Sequence, residues 1–487
     1  MSVFYRKSLK LPVKPLKSVR LTDFSRGMSR KKDENILPLS YAALAYNYAV
    51  GDGALRDGLG LSAFAYGGRP MDGIEGETIE RVWHYRKYDR DNNRPDDRLA
   101  VYCASGKVYA RPLLHDGDFQ EIGGLHYTEP PAAINYRLYG EDVLIFCAGS
   151  ESMSVWDGEN PPRAVPDSPR ITSMDIHYER LFATVEDEKR QVWFSDDLDP
   201  TNWDLTLENA GFIEMADERG ALLKVVSFLD YVYVFREYGI SRMSASGSQE
   251  EFSVSQLFVS SGRIRPDTIA VCGDRILFMA DDGLYAFNGL YAEHILDHMK
   301  TMFAGLGNDS AAAVYCSSKY YLACRFDYGD GEQVGCEAQE GYVNNTVMEL
   351  DLSSMCCCLT RGVDVRHLAA VRAGEAAVLC ACAEGRLAVA DDGGAVFGQP
   401  LKKLWRTPST DFGTDKIKVL KYISLRTAAA LGVTVESEEE RKTIAVSGGA
   451  GVQRVRVNLK GRVIGVSFES DGCNTRISAP ILHFDLI

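Results

Sequence analysis

Between residues 171 and 288 the chain writes one pattern three times: a short β-branched or aromatic run, a polar break, then a second short run. The paired runs are residues 178–185 and 191–195, residues 231–235 and 238–243, and residues 275–279 and 284–288. Each pair predicts a β-hairpin, because such residues suit a pleated surface and the breaks supply turn chemistry. A unit of this kind cannot bury its apolar face alone, so its repetition limits the available folds more than any single motif.

The same pattern extends outward in both directions. Upstream are residues 98–103 with 107–110 and residues 142–147 with 153–156; downstream are residues 320–326 with 345–350 and residues 376–382 with 386–390. First strands recur about every 46 residues, the interval of a four-stranded propeller blade. Runs such as residues 79–85, 221–226 and 268–271 supply inner strands. Closing the ring hides the sheet edges that so many short strands would otherwise expose. The expected fold class is therefore all-β: a β-propeller over residues 61–400, of about seven blades, with six or eight also compatible. An assembly of separate sandwiches fits the same strand spacing.

The flanks differ from the repeat. Residues 396–410 read as a connector. Residues 411–487 alternate strictly, as in Val433, Val435, Val455, Val457, Val466 and Phe468, which predicts a C-terminal β-sandwich with one wet face. Residues 1–60 read as an extended arm and lead-in segment without a helical stripe. Its first 32 residues hold Arg6, Lys7, Lys10, Lys14, Lys17, Arg20, Arg26, Arg30, Lys31 and Lys32 against Asp23 alone. That is +9, leaving −23 for the rest of a chain whose total is −14. A basic arm on an acidic body points to a partner for the arm. The interleaved Leu9, Leu11, Val13, Leu16, Val19 and Leu21 favour a protein groove over nucleic acid.

No apolar run reaches the roughly 18 residues that span a bilayer, and the N-terminus lacks the apolar core of a secretory signal. Neither a membrane partner nor a cofactor is expected. The 12 cysteines lie mostly in apolar runs without framework spacing, as buried free thiols of a reducing compartment would.

Certain phrases in this order resemble the β-propeller virion proteins of tailed bacteriophages, the packaged-DNA stabilisation and tail-nozzle type. Asn47, then Gly53-Ala54-Leu55-Arg56 and Gly58-Leu59-Gly60, is similar to that family's lead-in phrase. Val192-Trp193-Phe194-Ser195 with Asp199-Pro200 and Trp203 resembles its strand, Ser, Asp-Pro, Trp phrase. Asp282-Gly283-Leu284-Tyr285 through Gly289 resembles one of its blades, and residues 418–423 the lead into its terminal sandwich. The insertion at residues 327–344 and the cysteine-rich sixth and seventh units match no pattern of the family. The resemblance implies a non-enzymatic structural protein of the virion, assembled in the host bacterial cytoplasm. It implies a homo-oligomeric ring at the head–tail junction or tail tip, contacting portal, adaptor or tail proteins. DNA would pass without sequence-specific contact, repelled by the acidic body.

Local chemistry offers weaker alternatives. His294 and His298 have the helical spacing of a zinc pair, with Asp297 beside them, but no third ligand follows. A helix with Leu296, Met299 and Phe303 on its apolar face is the simpler expectation. The Cys356-Cys357-Cys358 triplet and the Cys380/Cys382 pair lack zinc spacing, and neighbours on a strand point to opposite faces. Residues 327–332 read as an exposed acidic turn rather than a calcium loop. Residues 195–203 approach the structural Asp-box of sialidase propellers, but a glycosidase's carboxylate pair cannot be placed. A binding module for a host-surface glycan or protein is the other functional class that the sequence permits.

Overall fold

The computed structural model describes all residues except 1–16, 31–35, 67–68, 207–208, 216, 248, 304 and 374–375. Each of the seven expected hairpins is present; blades 1 to 6 are four-stranded and antiparallel, and the seventh has four such strands with the short pair Ala395–Val396 and Gln399–Pro400 added at its edge, Ala395–Val396 running parallel to its neighbour. In blade 3 the strands run outward as Ile171–His177, Arg180–Val185, Gln191–Phe194 and Gly211–Glu214. The other inner strands, in blade order, are Ile79–Tyr85, Ala132–Leu138, Leu222–Phe228, Ala270–Cys272, Ala312–Cys316 and Val365–Ala373. Second strands such as Arg180–Val185 are buried throughout, because both their faces lie between blades. Trp203, Tyr233 and Phe278 are buried as their apolar context predicts, and the half-buried Trp193 stacks on Phe212.

The seventh blade closes the ring. Its outer strand, Gly60–Ala63, comes from the opposite end of the chain and pairs with Arg386–Asp391, Gly60 opposite Asp391. Only glycine fits at position 60: a Cβ there would lie 2.2 Å from Asp391 Oδ1 and 3.0 Å from the Ala395 carbonyl. Blades 7 and 1 meet at the centre, where the Val82 N–H donates to His367 Nδ1 (3.4 Å) and Arg366 pairs with Glu80.

The terminal domain differs from its expected boundaries. Both chain ends build it. One sheet orders Tyr48–Gly51, Ala54–Asp57, Arg476–Leu486, Lys418–Thr427 and Gly449–Gly461, with Lys17–Arg20 also paired to Arg476–Leu486. The facing sheet orders Leu44–Tyr46, Lys403–Arg406, Ile464–Ser470, Leu431–Ser437 and Arg441–Val446. Residues 17–20 and 44–57 are thus sandwich rather than arm, and part of the connector at residues 396–410, Lys403–Arg406, is a sandwich strand. Apolar side chains dictate this: Leu21, Phe24 and Met28 are buried, and the Phe24 ring meets Trp405 edge-on at 5.3 Å.

The sandwich and blade 6 share one continuous core, in which Leu420, Ile423 and Phe484 join Tyr320, Leu350 and Leu359. Asn47 fastens the two across the outer strand of that blade, Cys356–Arg361. Its backbone N–H donates to the Leu359 carbonyl (2.7 Å) and its Oδ1 accepts the Arg361 N–H (2.7 Å). Its amide NH₂ donates to the carbonyls of Lys402 (2.7 Å) and Arg361 (3.2 Å). Asn47 holds φ +62, a left-handed conformation that asparagine tolerates better than most residues. Asn47→Ala should cost about 2–4 kcal/mol in urea unfolding, from orphaned buried groups and the backbone penalty. Asn47→Gly should recover about 1 kcal/mol of that by relieving the backbone alone.

The insertion in blade 6 lies between the strands Lys319–Cys324 and Thr346–Asp351 and folds back onto the same junction. Arg361, 2% exposed, bonds Asp330 at 2.6 Å and Glu337 at 2.8 Å and donates to the Glu332 carbonyl (2.8 Å). Its guanidinium lies 4.1 Å from the Tyr328 ring centre and 4.9 Å from that of Tyr46. Asp327 is exposed, but Asp330 is held inward, so the expected exposed acidic turn is in part a buried ion-pair clasp.

Candidate functional site

Inner strands of a propeller all run the same way, so their first residues ring one mouth of the central channel. There a cavity of about 550 Å³ opens between blades. Blade 1 gives it Arg81, blade 4 Lys224 and blade 7 His367; Asp267 sits on the short helix Pro266–Thr268 before blade 5. Arg81, Lys224 and His367 are the third residues of their inner strands.

These groups are already partnered. Arg81 bonds Asp267 at 2.6 Å, and Lys224 Nζ donates to the carbonyls of Pro266 and Ile269, both at 3.2 Å. Burial alone would raise the Asp267 carboxyl, but the charges of Arg81 and Lys224 outweigh it and hold it below the usual range. Burial lowers the Lys224 ammonium. Burial, with the Arg81 charge, pushes His367 down to about 3, so its ring is neutral at ordinary pH. Deeper in the channel, burial raises the Asp175 carboxyl, although it accepts the N–H groups of Ser227 (2.7 Å) and Ile176 (2.8 Å). The mouth thus presents both cationic and anionic side chains to the cavity. Its carboxylates Asp267, Glu186 and Glu237 are paired with Arg81, Lys189 and Arg263.

The other sequence candidates fall elsewhere. Arg6, Lys7, Lys10, Lys14, Lys31 and Lys32 lie outside the described residues. Lys17 and Arg20 are exposed on the sandwich strand Lys17–Arg20, and Arg26 is exposed in the turn after it. Arg30 is half-buried: its N–H donates to the His298 carbonyl (3.3 Å) and its guanidinium to the Tyr328 carbonyl. The four therefore belong to the folded body and not to an arm.

His294 and His298 do not share a helix. His294 ends in the strand Ala292–Ile295, Leu296 reverses the chain at φ +52, and only Asp297–Met302 is helical. His294 stacks on Tyr285 at 4.0 Å, whereas His298 faces Tyr41. Met299 and Phe303 are buried, as the apolar-face reading expects. Among the described residues no group of three or more His, Cys, Asp or Glu side chains is placed to hold a metal. All 12 cysteines are free thiols; nine are buried, and Cys357 points away from Cys356 and Cys358. Residues 195–203 form a structural turn, with the buried Trp203 Nε1 donating to the Pro200 carbonyl at 3.0 Å.

The channel cluster was not singled out from sequence. Its signal was Arg81 interrupting residues 79–85 and Lys224 interrupting residues 221–226, both already recognised as inner strands.

No family model matches the chain, and no curated protein matches its sequence. Among solved structures it is similar to BBS1N from a complex with ARL6DN, at 13% identity and a TM-score of 0.43, over 68% of this chain and 96% of that one. It is also similar to the Pan2 WD40 domain of Neurospora crassa, at 10% identity and a TM-score of 0.39, over 68% and 93%. BamB from Moraxella catarrhalis shares 12% identity at a TM-score of 0.38, over 78% and 99%.

Proposed function

We propose that this chain is a structural protein of a tailed-phage virion, a rigid block that joins a ring at the head–tail junction or tail tip. The observation carrying the reading is the shared core of sandwich and blade 6, into which both chain ends are woven. Such a block transmits position rather than chemistry, and the internally paired channel mouth suits that role better than turnover. Residues 1–16, which hold Arg6, Lys7, Lys10 and Lys14, continue from the sandwich edge at Lys17 and form the contact to neighbouring virion proteins. The acidic remainder repels passing DNA.

The test is incorporation of a chain lacking residues 1–16 into particles, followed by mass spectrometry of purified virions. The expected result is loss of the protein from particles that retain portal and tail subunits. Normal incorporation would overturn the clamp. The channel cavity favours a second reading, a module for a small polar or glycan ligand. Saturable glycan binding abolished by Arg81→Ala would establish it, and turnover on a glycan panel would replace both readings with an enzyme.

A further inference from the structure

The face opposite the channel mouth carries the turns from each inner strand to its neighbour. In blades 2, 3 and 4 these are two-residue turns at Tyr139-Gly140, Tyr178-Glu179 and Leu229-Asp230, fixed by the pairs Leu138↔Glu141, His177↔Arg180 and Phe228↔Tyr231. Their first residues hold φ +48, +51 and +53. Tight hairpins place Asn, Asp or Gly there, because a bulky side chain is strained in the left-handed region. Here that position instead holds large apolar side chains, and it presents them to solvent: Tyr139 is 78% exposed, Tyr178 59% and Leu229 67%.

Loops on the same face add Leu198 from blade 3 and Leu290 and Tyr291 from blade 5, all about 60% exposed. Contacts within and between blades join them into one arc. Tyr139 Oη donates to Asp199 of blade 3 at 2.6 Å, within blade 3 the Leu198 N–H donates to the Glu179 carbonyl at 2.9 Å, His177 Nδ1 and the Ser227 hydroxyl of blade 4 lie 2.9 Å apart, and Gly289 of blade 5 lies beside the Leu229 side chain. Exposed carboxylates flank the three turns: Glu141, which lies 3.6 Å from Arg90, Glu179 and Asp230.

Residues 1–16 have the complementary pattern: Tyr5 beside Arg6 and Lys7, Leu9 and Leu11 around Lys10, Val13 beside Lys14. Fully extended, 16 residues reach roughly 50 Å from Lys17, far enough to leave their own sandwich for a neighbouring molecule. We infer that the apolar, acidic arc over blades 2–5 is the docking surface for residues 1–16 of a second copy of this chain. Apolar tips would supply contact area, and the alternating carboxylates would set register against the arm's bases. The inference rests on the proposal that copies form a ring, and it names the surface on which they meet.

The test uses full-length chain with a photo-crosslinking residue in place of Tyr5, prepared with natural and with ¹⁵N nitrogen and mixed. The expected result is mixed-isotope cross-links from residue 5 to peptides containing Tyr139, Tyr178 or Leu229. Combining Tyr139→Asn, Tyr178→Asn and Leu229→Asn should lower that yield about tenfold. Asparagine favours the left-handed turn, so the thermal midpoint should stay level or rise, which separates lost docking from lost folding. Cross-links confined to single copies, or to the sandwich, overturn the inference. So does a mixed-isotope yield that the triple variant leaves unchanged. If copies assemble while residue 5 maps elsewhere, this docking falls and the virion reading stands; if they assemble under no condition, the ring falls as well.

Discussion

A chain shortened by its first 32 residues is expected to lose its sandwich, whereas one shortened by 16 keeps it. The shorter deletion stops at Lys17, before the strand Lys17–Arg20 that pairs from Phe484 to Ile481. The longer one removes that strand and three core side chains, Leu21, Phe24 and Met28, which are 3%, 1% and 1% exposed. Deleting large buried apolar groups costs about 2–5 kcal/mol each, so the three together forfeit roughly 6–15 kcal/mol. That matches the whole stability of an ordinary domain, about 5–15 kcal/mol. The lost Phe24 also strips the packing from Trp405, on the strand that leads from propeller to sandwich. Limited proteolysis resolves the outcome: cutting within residues 418–486 in the longer deletion, and protection of the same residues in the shorter one. Blades 1 to 4 and 7, whose cores lie apart from the sandwich, should survive both, because the closing strand Gly60–Ala63 is retained. Equal protease resistance of the two deletions would contradict the assignment of residues 17–30 to the core.

The contrast shows what was legible in the amino-acid pattern. Second and third strands of each blade were readable, since continuous apolar runs broken by turn residues identify buried hairpins. Gly60–Ala63 was not, because four residues carry little periodicity and their partner lies at the far end of the chain. Leu44–Tyr46 is buried on both faces and shows no alternation, so it did not announce itself as a sandwich strand. The basic residues misled for a related reason. Lys17, Arg20, Arg26 and Arg30 share the charge of residues 1–16, but Leu21, Phe24 and Met28 between them decide the structure. At His294 and His298 the spacing suggested one helix, and Leu296 in a left-handed conformation separates them. The apolar turn tips are the opposite case. Nothing in a hairpin requires Tyr139, Tyr178 or Leu229, and local preference opposes them, which is the ground for the docking surface proposed there.

Arg361→Met is expected to destabilise the junction of insertion, blade 6 and sandwich by about 3–5 kcal/mol near neutral pH, the scale for stranding a buried charge. Two carboxylates, Asp330 and Glu337, converge on this one guanidinium, and their side chains are only 12% and 8% exposed. Methionine keeps much of the arginine's apolar volume against Tyr46 and Tyr328, so the loss reports charge rather than packing. The pH dependence gives the sign. Burial by itself would raise the Asp330 carboxyl, but its bonds to Arg361 and that residue's charge override burial and hold it below the ordinary value of 3.8. A carboxyl depressed on folding contributes stability above its unfolded value, and loses it as pH falls through the folded one. In the variant burial is opposed only by backbone hydrogen bonds such as the one from the Glu332 N–H (3.1 Å), so the Arg361-dependent lowering of Asp330 is lost and acid relieves the defect. Urea unfolding midpoints of variant and parent should therefore differ most near pH 7 and converge below about pH 4. Adding Asp330→Asn and Glu337→Gln to Arg361→Met should recover a large part of the loss at neutral pH, because neutral amides need no counter-charge. A gap between parent and variant that stays constant from pH 7 down to about pH 2 would mean that Arg361 holds the insertion through its stacking on Tyr328 and its bond to the Glu332 carbonyl, and not through the two carboxylates.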